Sequence, residues 1–256
     1  MPTAHLPLRG DRDHGRGAFC CHCKCCVLAL LVLGKRICRN VAMDAPAFIR
    51  ANTKLMPVAL VPEIQLHLAE ESLQIWRQTE EQLAKLNVAP PYWAFAWAGG
   101  QALARYLLDN PSLVAARRVL DVGAGAGLGA IAAMKAGAAH ALAADIDALA
   151  LTAIGLNGAA NGVAVETTLA DLLASPPPAC DLVLVGDLFY ERVLAERVVA
   201  FIQAARALGM DTLIGDPRRS YFPKERFRPV AEYNVPVTRE LEDAEIKRTA
   251  VWRLAS

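Results

Sequence analysis

Two hydrophobic patterns alternate over the middle of the chain, from about residue 118 to residue 215. Short apolar runs of strand length occupy 119–122, 141–144, 163–169, 182–185 and 212–214. Longer segments of helical character occupy 128–136, 148–161 and 191–208. Because strands and helices alternate in this way, the pattern predicts a parallel sheet with helices on both faces.

The segments on either side of this block follow other patterns. Before it, period-two alternation predicts a strand at 64–68, and apolar residues at helical spacing predict helices at about 73–86 and 101–108. The residues between Met43 and this strand, which are interrupted by prolines, are predicted to be a loop. After the block, extended segments near 229–237 and 249–254 have no long helix between them, which is typical of an antiparallel pair at a sheet edge.

These patterns divide the chain into three parts. Residues 1–42 hold six of the seven cysteines, and we expect a disordered leader there, with Met43 as the true start of the protein. Residues 43–118 form an N-terminal extension with an aromatic segment, and residues 119–256 form the domain that carries the sheet. Cys23 and Cys26 have the spacing of a metal-binding pair. The cysteines are too crowded for most of them to reach one ion, so we expect no metal site.

The composition excludes several classes of protein. The chain has 27 Lys and Arg against 26 Asp and Glu, so it lacks the basic excess of a nucleic-acid-binding protein. Its longest apolar candidate, 27–33, is far shorter than the ~18 residues that a membrane span needs. We therefore expect neither a nucleic-acid nor a membrane partner. Cys180 is the one cysteine after residue 42, which indicates a reduced, intracellular protein.

The strand at 119–122 ends in a glycine-rich turn that carries the most informative chemistry. Gly123, Gly125 and Gly127 alternate with alanines between this strand and the next helix. Glycines at such a turn let backbone amides approach a ligand closely at the start of a helix. The spacing fits both a dinucleotide such as NAD and S-adenosylmethionine.

Three acidic residues lie at the ends of successive strands and bear on the choice between NAD and S-adenosylmethionine. Asp121 lies two residues before Gly123, where a carboxylate would repel a pyrophosphate and attract the ammonium of a methionine moiety. This position favours S-adenosylmethionine, and an NAD-dependent oxidoreductase is the alternative from another class. Asp145 can accept hydrogen bonds from ribose hydroxyls, and Asp171 can reach an adenine amine, with either cofactor.

From about Val119 to Leu254 the chain resembles class I S-adenosylmethionine-dependent methyltransferases. The resemblance implies an α/β, Rossmann-like sheet of seven strands with an antiparallel last strand and helices on both faces. It makes residues 119–256 the S-adenosylmethionine-dependent methyltransferase domain. Gly123, Gly125, Gly127, Asp121, Asp145 and Asp171 are then the expected cofactor-binding residues.

The strand at 182–185 narrows the resemblance. It leads into Asp187-Leu-Phe-Tyr190, which looks like the Asp/Glu-x-x-Tyr/Phe motif of protein-lysine methyltransferases. It lacks the Asn/Asp-Pro-Pro-Tyr pattern of amide and adenine methyltransferases. Together with the aromatic segment at 92–106 and Gly215-Asp216-Pro217-Arg218, it resembles the electron transfer flavoprotein beta-subunit lysine methyltransferases and their bacterial relatives.

This resemblance implies transfer of methyl groups from S-adenosylmethionine to lysine side chains, with the electron transfer flavoprotein beta subunit as the expected protein substrate. A ribosomal protein or a small amine is the alternative substrate. The expected location is the cytoplasm of a bacterium, or the mitochondrial matrix if the source is an animal. Asp187 and Tyr190 are the expected catalytic residues, which hold and orient the amine. Trp97 is expected to contact the cofactor, whereas Trp93 fits the cofactor site and the core equally well.

Overall fold

A seven-stranded sheet forms the centre of the protein. Its strands are β3 (Arg118–Val122), β4 (His140–Ala144), β5 (Glu166–Thr168), β6 (Leu182–Gly186), β7 (Asp211–Asp216), β8 (Phe227–Pro236) and β9 (Ile246–Leu254). They lie in the order β5-β4-β3-β6-β7-β9-β8. Strands β3 to β7 pair in parallel, and β9 lies between β7 and β8 and is antiparallel to both. The predicted sheet with an antiparallel last strand is confirmed.

The computed structural model describes residues 44–69, 90–238 and 244–255. The described residues belong to one unit, which begins at Met43. The leader predicted for residues 1–42, its cysteines and the helix predicted at 73–86 lie outside the described residues. In the described ranges, no helix is both long enough and apolar enough to cross a bilayer.

Helices cover both faces of the sheet, as the sequence predicted. They are α2 (Ala98–Asp109), α3 (Leu128–Lys135), α4 (Ala148–Ala160) and α5 (Arg192–Ala207). Along β6, Leu182 and Leu184 pack in the same core cluster as α2 and α3, whereas Val183 and Val185 pack in the cluster of α5. A strand that is buried on both faces forms one continuous apolar run, which explains the pattern of the sequence.

Two local predictions were wrong. Residues predicted as a loop form the helix α1 (Ala45–Asn52), because Pro46 lies in its first turn, where proline is favoured, and the Asp44 carboxylate accepts the Ala47 N–H at 3.2 Å. The strand predicted at 163–169 is shortened to β5. Val163, the first residue of the predicted strand, belongs instead to the end of α4, because its N–H donates to the Gly158 carbonyl at 3.0 Å.

A separate antiparallel hairpin precedes the sheet, formed by β1 (Lys54–Val58) and β2 (Val61–Leu68). Asn157 of α4 and Asn161, which caps the end of that helix, bind the backbone of β2. The Asn157 Oδ1 accepts the His67 N–H at 2.7 Å, and Asn161 both accepts from and donates to the backbone of Gln65, at 2.9 and 2.6 Å. Asn157 also donates its amide N–H to the Ala126 carbonyl of the glycine-rich turn at 2.9 Å.

Helix α2 lies unusually close to the end of β7. A Cβ atom on Gly215 would lie 2.7 Å from the carbonyl carbon of Gly99 and 2.8 Å from the Cγ of Leu103. Both distances are shorter than real Cβ atoms tolerate, so glycine at this position allows the close packing. The contact brings the first turn of α2 to the carboxyl ends of β6 and β7.

Candidate active site

A cleft that is open to solvent lies at the carboxyl ends of β3 and β6. In a doubly wound sheet this is the expected place for a ligand. The lining residues come from the start of α2, the end of β3, the glycine-rich turn, the start of α3 and the end of β6. They are Phe95, Ala96, Trp97, Gly100, Leu103, Asp121, Gly123, Ala124, Gly125, Ala126, Leu128, Gly129 and Gly186.

The glycine-rich turn has a backbone that other residues rarely adopt. Gly123, Gly125 and Gly127 have φ angles of 64°, 53° and 81°. Gly123 and Gly125 line the cleft. Gly127 does not, because it faces α4, where an added Cβ would lie 3.0 Å from Ile154. Gly127 therefore shapes the turn and starts α3, whereas the two earlier glycines leave the cleft open.

Asp121 is a buried carboxyl group in the wall of the cleft. Its Oδ2 accepts the Ala130 N–H at 2.9 Å, near the start of α3. Gly129 makes room for it, since a Cβ there would lie 2.8 Å from the same oxygen. Burial raises the pKa of Asp121 to about 7. A buried carboxylate at a ligand cleft needs a positive partner, and the ammonium of a methionine moiety meets that need.

The other two acids predicted to bind the cofactor do not line the cleft. Asp145, which follows β4, supports the glycine-rich turn: its Oδ2 accepts the Gly125 N–H at 2.8 Å, and its Oδ1 accepts the Asp147 N–H at 3.0 Å. A carboxylate has about four acceptor positions, so these bonds leave capacity for a ribose hydroxyl. Asp171 lies before the short helix Leu172–Ala174 and pairs with Arg197 at 2.6 Å.

Asp187 occupies a strained turn directly after β6. Its φ angle is 57°, in the left-handed region that residues with a side chain seldom adopt. The carboxylate is buried and is held from two sides. Oδ2 accepts a hydrogen bond from the N–H of Gly99 in the first turn of α2. Oδ1 accepts a hydrogen bond from the Arg219 Nε at 2.7 Å and lies 2.6 Å from Nη2 of the same guanidinium. Gly186 and Gly100, the chain neighbours of Asp187 and Gly99, line the cleft.

A row of aromatic rings connects Tyr190 to the cleft. The Tyr190 ring is 48% exposed and lies 5.8 Å from the Tyr92 ring, which lies 5.9 Å from the Trp97 ring. Trp97 lies 5.9 Å from Phe95 and donates its indole N–H to the Tyr92 carbonyl at 2.9 Å. Trp93 belongs to a buried cluster that also contains Phe95, but it does not itself line the cleft, so its place is in the core.

Comparison with known proteins identifies the relatives of this chain. A family model described as ribosomal protein L11 methyltransferase matches residues 102–210. The electron transfer flavoprotein beta subunit lysine methyltransferase of Danio rerio is 37% identical over 217 residues, which cover 82% of this chain and 83% of that protein. The protein of that name from Rattus norvegicus is 38% identical over 213 residues, with coverage of 80% and 82%. This chain belongs to their family.

As a member of the electron transfer flavoprotein beta subunit lysine methyltransferase family, the protein is an S-adenosylmethionine-dependent methyltransferase. The predicted family and cofactor are confirmed, and the NAD-dependent alternative is set aside. Among solved structures, ribosomal protein L11 methylase from Lactobacillus delbrueckii subsp. bulgaricus has a TM-score of 0.43 at 22% identity and covers 63% of this chain and 81% of that chain. That likeness is too low to support conclusions about the site.

The cleft of this family member fits S-adenosylmethionine. Asp121 places a buried carboxyl group in its wall, where an ammonium is the complementary group. Gly123 and Gly125 present backbone without side chains on the same wall, and Trp97 offers an aromatic face, which attracts a sulfonium as it does other cations.

Sequence reasoning missed two residues beside Asp187. Arg219 binds its carboxylate directly. Asp216, the last residue of β7, is fully buried, and its Oδ1 accepts the Arg219 N–H at 2.7 Å, whereas its Oδ2 has no hydrogen-bond partner among the described residues. Burial first, and then the charge of Asp187, raise the pKa of Asp216 to about 7. The one available signal was Asp216-Pro217 directly after an apolar strand.

Proposed function

We propose that this enzyme transfers methyl groups from S-adenosylmethionine to lysine side chains of the electron transfer flavoprotein beta subunit. The observation that carries the proposal is the position of Asp187, an oriented and buried acceptor at the carboxyl end of β6, next to residues of the cofactor cleft. The names of the relatives from Danio rerio and Rattus norvegicus support the substrate. The enzyme then works where this subunit is found, in the bacterial cytoplasm or, for an animal source, in the mitochondrial matrix.

The residues proposed to hold the cofactor have separate tasks. Asp121 binds the ammonium of the methionine moiety, and the backbone of Gly123 and Gly125 forms the wall beside it. Asp145 holds the turn through the Gly125 N–H and accepts a ribose hydroxyl. The Asp171 carboxylate already accepts a hydrogen bond from Arg197, so it would have to bind Arg197 and the adenine amine at the same time.

The chemistry of the substrate defines what Asp187 and Tyr190 must do. S-adenosylmethionine supplies a methyl group on a positively charged sulfur, and transfer depends mainly on in-line alignment of the amine. A free lysine has a pKa of about 10.4 and must lose a proton before it can react. We assign to Asp187 the hydrogen bond that holds the amine and to the Tyr190 hydroxyl its orientation. The aromatic row provides apolar surroundings that favour the neutral amine.

The proposal can be tested with S-adenosylmethionine that carries a labelled methyl group. The purified enzyme is incubated with the electron transfer flavoprotein beta subunit and, separately, with an extract of the source organism. We expect label on lysine side chains of that subunit in both experiments, identified by mass spectrometry, and none with the Asp187→Ala variant.

Ribosomal protein L11 is the natural comparison, because the family model with that description matches residues 102–210. Label on L11, or on a small amine in the extract, with none on the flavoprotein subunit would contradict the proposed substrate. It would leave the methyltransferase activity of the family unaffected.

A further inference from the structure

Arg219 contacts both the proposed amine acceptor and the wall of the cofactor cleft, although the sequence assigned it no role. Its Nε and Nη2 donate to Asp187 Oδ1 at 2.7 and 2.6 Å. Its guanidinium carbon lies 5.8 Å from the centroid of the Trp97 ring, within the range of a cation–π contact. The side chain is only 18% exposed. A partly buried arginine thus connects the proposed amine acceptor to the wall of the cofactor cleft.

The loop after β7 is built to deliver this side chain. Asp216 is fully buried, and its Oδ1 accepts the backbone N–H of Arg219 at 2.7 Å, which fixes the loop to the end of the strand. Arg218, between them, has a φ angle of 66°, a conformation that is costly for a residue with a side chain. Strain that is held in place by a buried carboxyl group indicates that the position of the next side chain matters.

Gly99 and Arg219 restrain different oxygens of the Asp187 carboxylate. The Gly99 N–H binds Oδ2, and the Arg219 guanidinium binds Oδ1. The last torsion of an aspartate side chain is broad and weakly restrained by itself, so a single partner would leave the carboxylate free to rotate. With both partners present, the orientation of the carboxylate is defined before any substrate arrives.

We propose that Arg219 is a positioning residue for methyl transfer, which fixes the Asp187 carboxylate in the orientation that the lysine amine requires. The proposal rests on the role assigned above to Asp187. Arg219 also balances the negative charge of that carboxylate, so Asp187 attracts a charged ammonium less strongly. Asp187 then acts as an oriented hydrogen-bond acceptor for the neutral amine, which is the form that reacts.

Three variants of the full-length enzyme test this role: Arg219→Ala, Arg219→Lys and the control Arg248→Ala. Arg248 also pairs with a carboxylate, since its Nε donates to Glu232 at 3.2 Å, but its side chain is 70% exposed and does not line the cleft. We expect kcat of Arg219→Ala to fall about 10- to 100-fold, the range for loss of a hydrogen bond to a charged group. Arg219→Lys should lose less. The dissociation constant of S-adenosylmethionine should stay within about twofold in all three variants, because the interaction acts on the amine rather than on the cofactor.

Added guanidinium ion, below denaturing concentration, separates positioning from a merely structural role. It should restore part of kcat in Arg219→Ala, by filling the vacated place beside Asp187, and should not change kcat of Arg248→Ala or of the wild type. An unchanged or increased kcat in Arg219→Ala would overturn the proposal. So would a loss that guanidinium does not restore, which would make the arginine a structural support.

Measurements on the wild-type enzyme test the proposed substrate separately from the proposed role of Arg219. Absence of methyl transfer by the wild type to the flavoprotein subunit refutes that substrate alone. The ratio of variant to wild-type kcat, measured on whichever protein the extract labels, decides the role of Arg219 in either case.

Discussion

Asp121 is expected to make the binding of S-adenosylmethionine depend on pH. Burial raises the pKa of its carboxyl group to about 7, and the nearby charge of Asp145 adds to the rise. The cofactor ammonium needs the ionised carboxylate as its partner. The protein must therefore release a proton to bind the cofactor tightly, and the affinity should rise as the pH increases towards 7.

The size of the effect follows from the ionised fraction. With a pKa of about 7, roughly 3% of Asp121 is ionised at about pH 5.5 and roughly 50% at about pH 7. The apparent dissociation constant varies inversely with the competent fraction, so the affinity should increase roughly 15-fold, or about 1.6 kcal/mol. The comparison ends at about pH 7, because an α-amino group itself loses its proton near ~7.7–8.0.

Calorimetric titration with S-adenosylmethionine over this pH range measures the effect, and Asp121→Asn is the matched control. The asparagine retains an oxygen for the Ala130 N–H but cannot ionise, so the variant should bind weakly and with little dependence on pH. A wild-type affinity that is constant between about pH 5.5 and 7 would refute the reasoning. An equal rise in Asp121→Asn would do the same, because the titrating group would then lie elsewhere.

Three further predictions concern catalysis and stability. Tyr190→Phe should lower kcat while cofactor affinity, measured by calorimetry, stays within about twofold, and Asp187→Asn should lower kcat further, because an interaction made mainly in the transition state affects the rate rather than ground-state binding. The pKa of Asp216 is raised in the folded state to about 7. The protonated carboxyl group therefore contributes to the free energy of unfolding in full below about pH 4, and this contribution, at most about 4 kcal/mol, is lost as the pH rises through 7. In urea unfolding, the free energy of unfolding of Asp216→Asn should therefore rise relative to that of the wild type between about pH 5 and pH 8. A difference between the two proteins that stays constant over this range would contradict the prediction. Gly215→Ala should destabilise the fold by several kcal/mol, because its Cβ would lie 2.7 Å from a backbone carbon, whereas Gly100→Ala, whose Cβ would meet nothing closer than 3.9 Å, should keep or raise the melting temperature measured by circular dichroism.

The inner parallel strands β3, β4, β6 and β7 could be predicted from the sequence because they are buried on both faces. Such strands are short, continuously apolar runs between helices, and the pattern survives without knowledge of the neighbours. Strand β1 could not be predicted in this way, since three of its five residues are exposed and it contains Pro57. Its conformation depends on pairing with β2 rather than on its own side chains.

Part of the active site could be predicted for a similar reason. The glycines and Asp121 are set by one local segment, whose strand-turn-helix pattern already fixes where they lie. The bond between Arg219 and Asp187 joins residues 32 positions apart, and it needs the left-handed backbone of Arg218, which the sequence does not reveal. Asp171, predicted to be near an adenine, lies in an ion pair with Arg197 that likewise depends on tertiary structure.

Asn157 adds a polar link between β2 and the glycine-rich turn, whose residue Ala126 also shares a core cluster with Ile64 and Leu66 of β2. One side of its amide binds the backbone of β2 at His67, and the other binds the Ala126 carbonyl in the turn beside the cleft. We therefore expect a ligand that immobilises the turn to restrict the hairpin as well, although its contact residue His67 lies 90 residues before Asn157. The hairpin becomes a remote sensor of cofactor occupancy, so slower amide hydrogen exchange along β2 would report binding without any probe in the cleft.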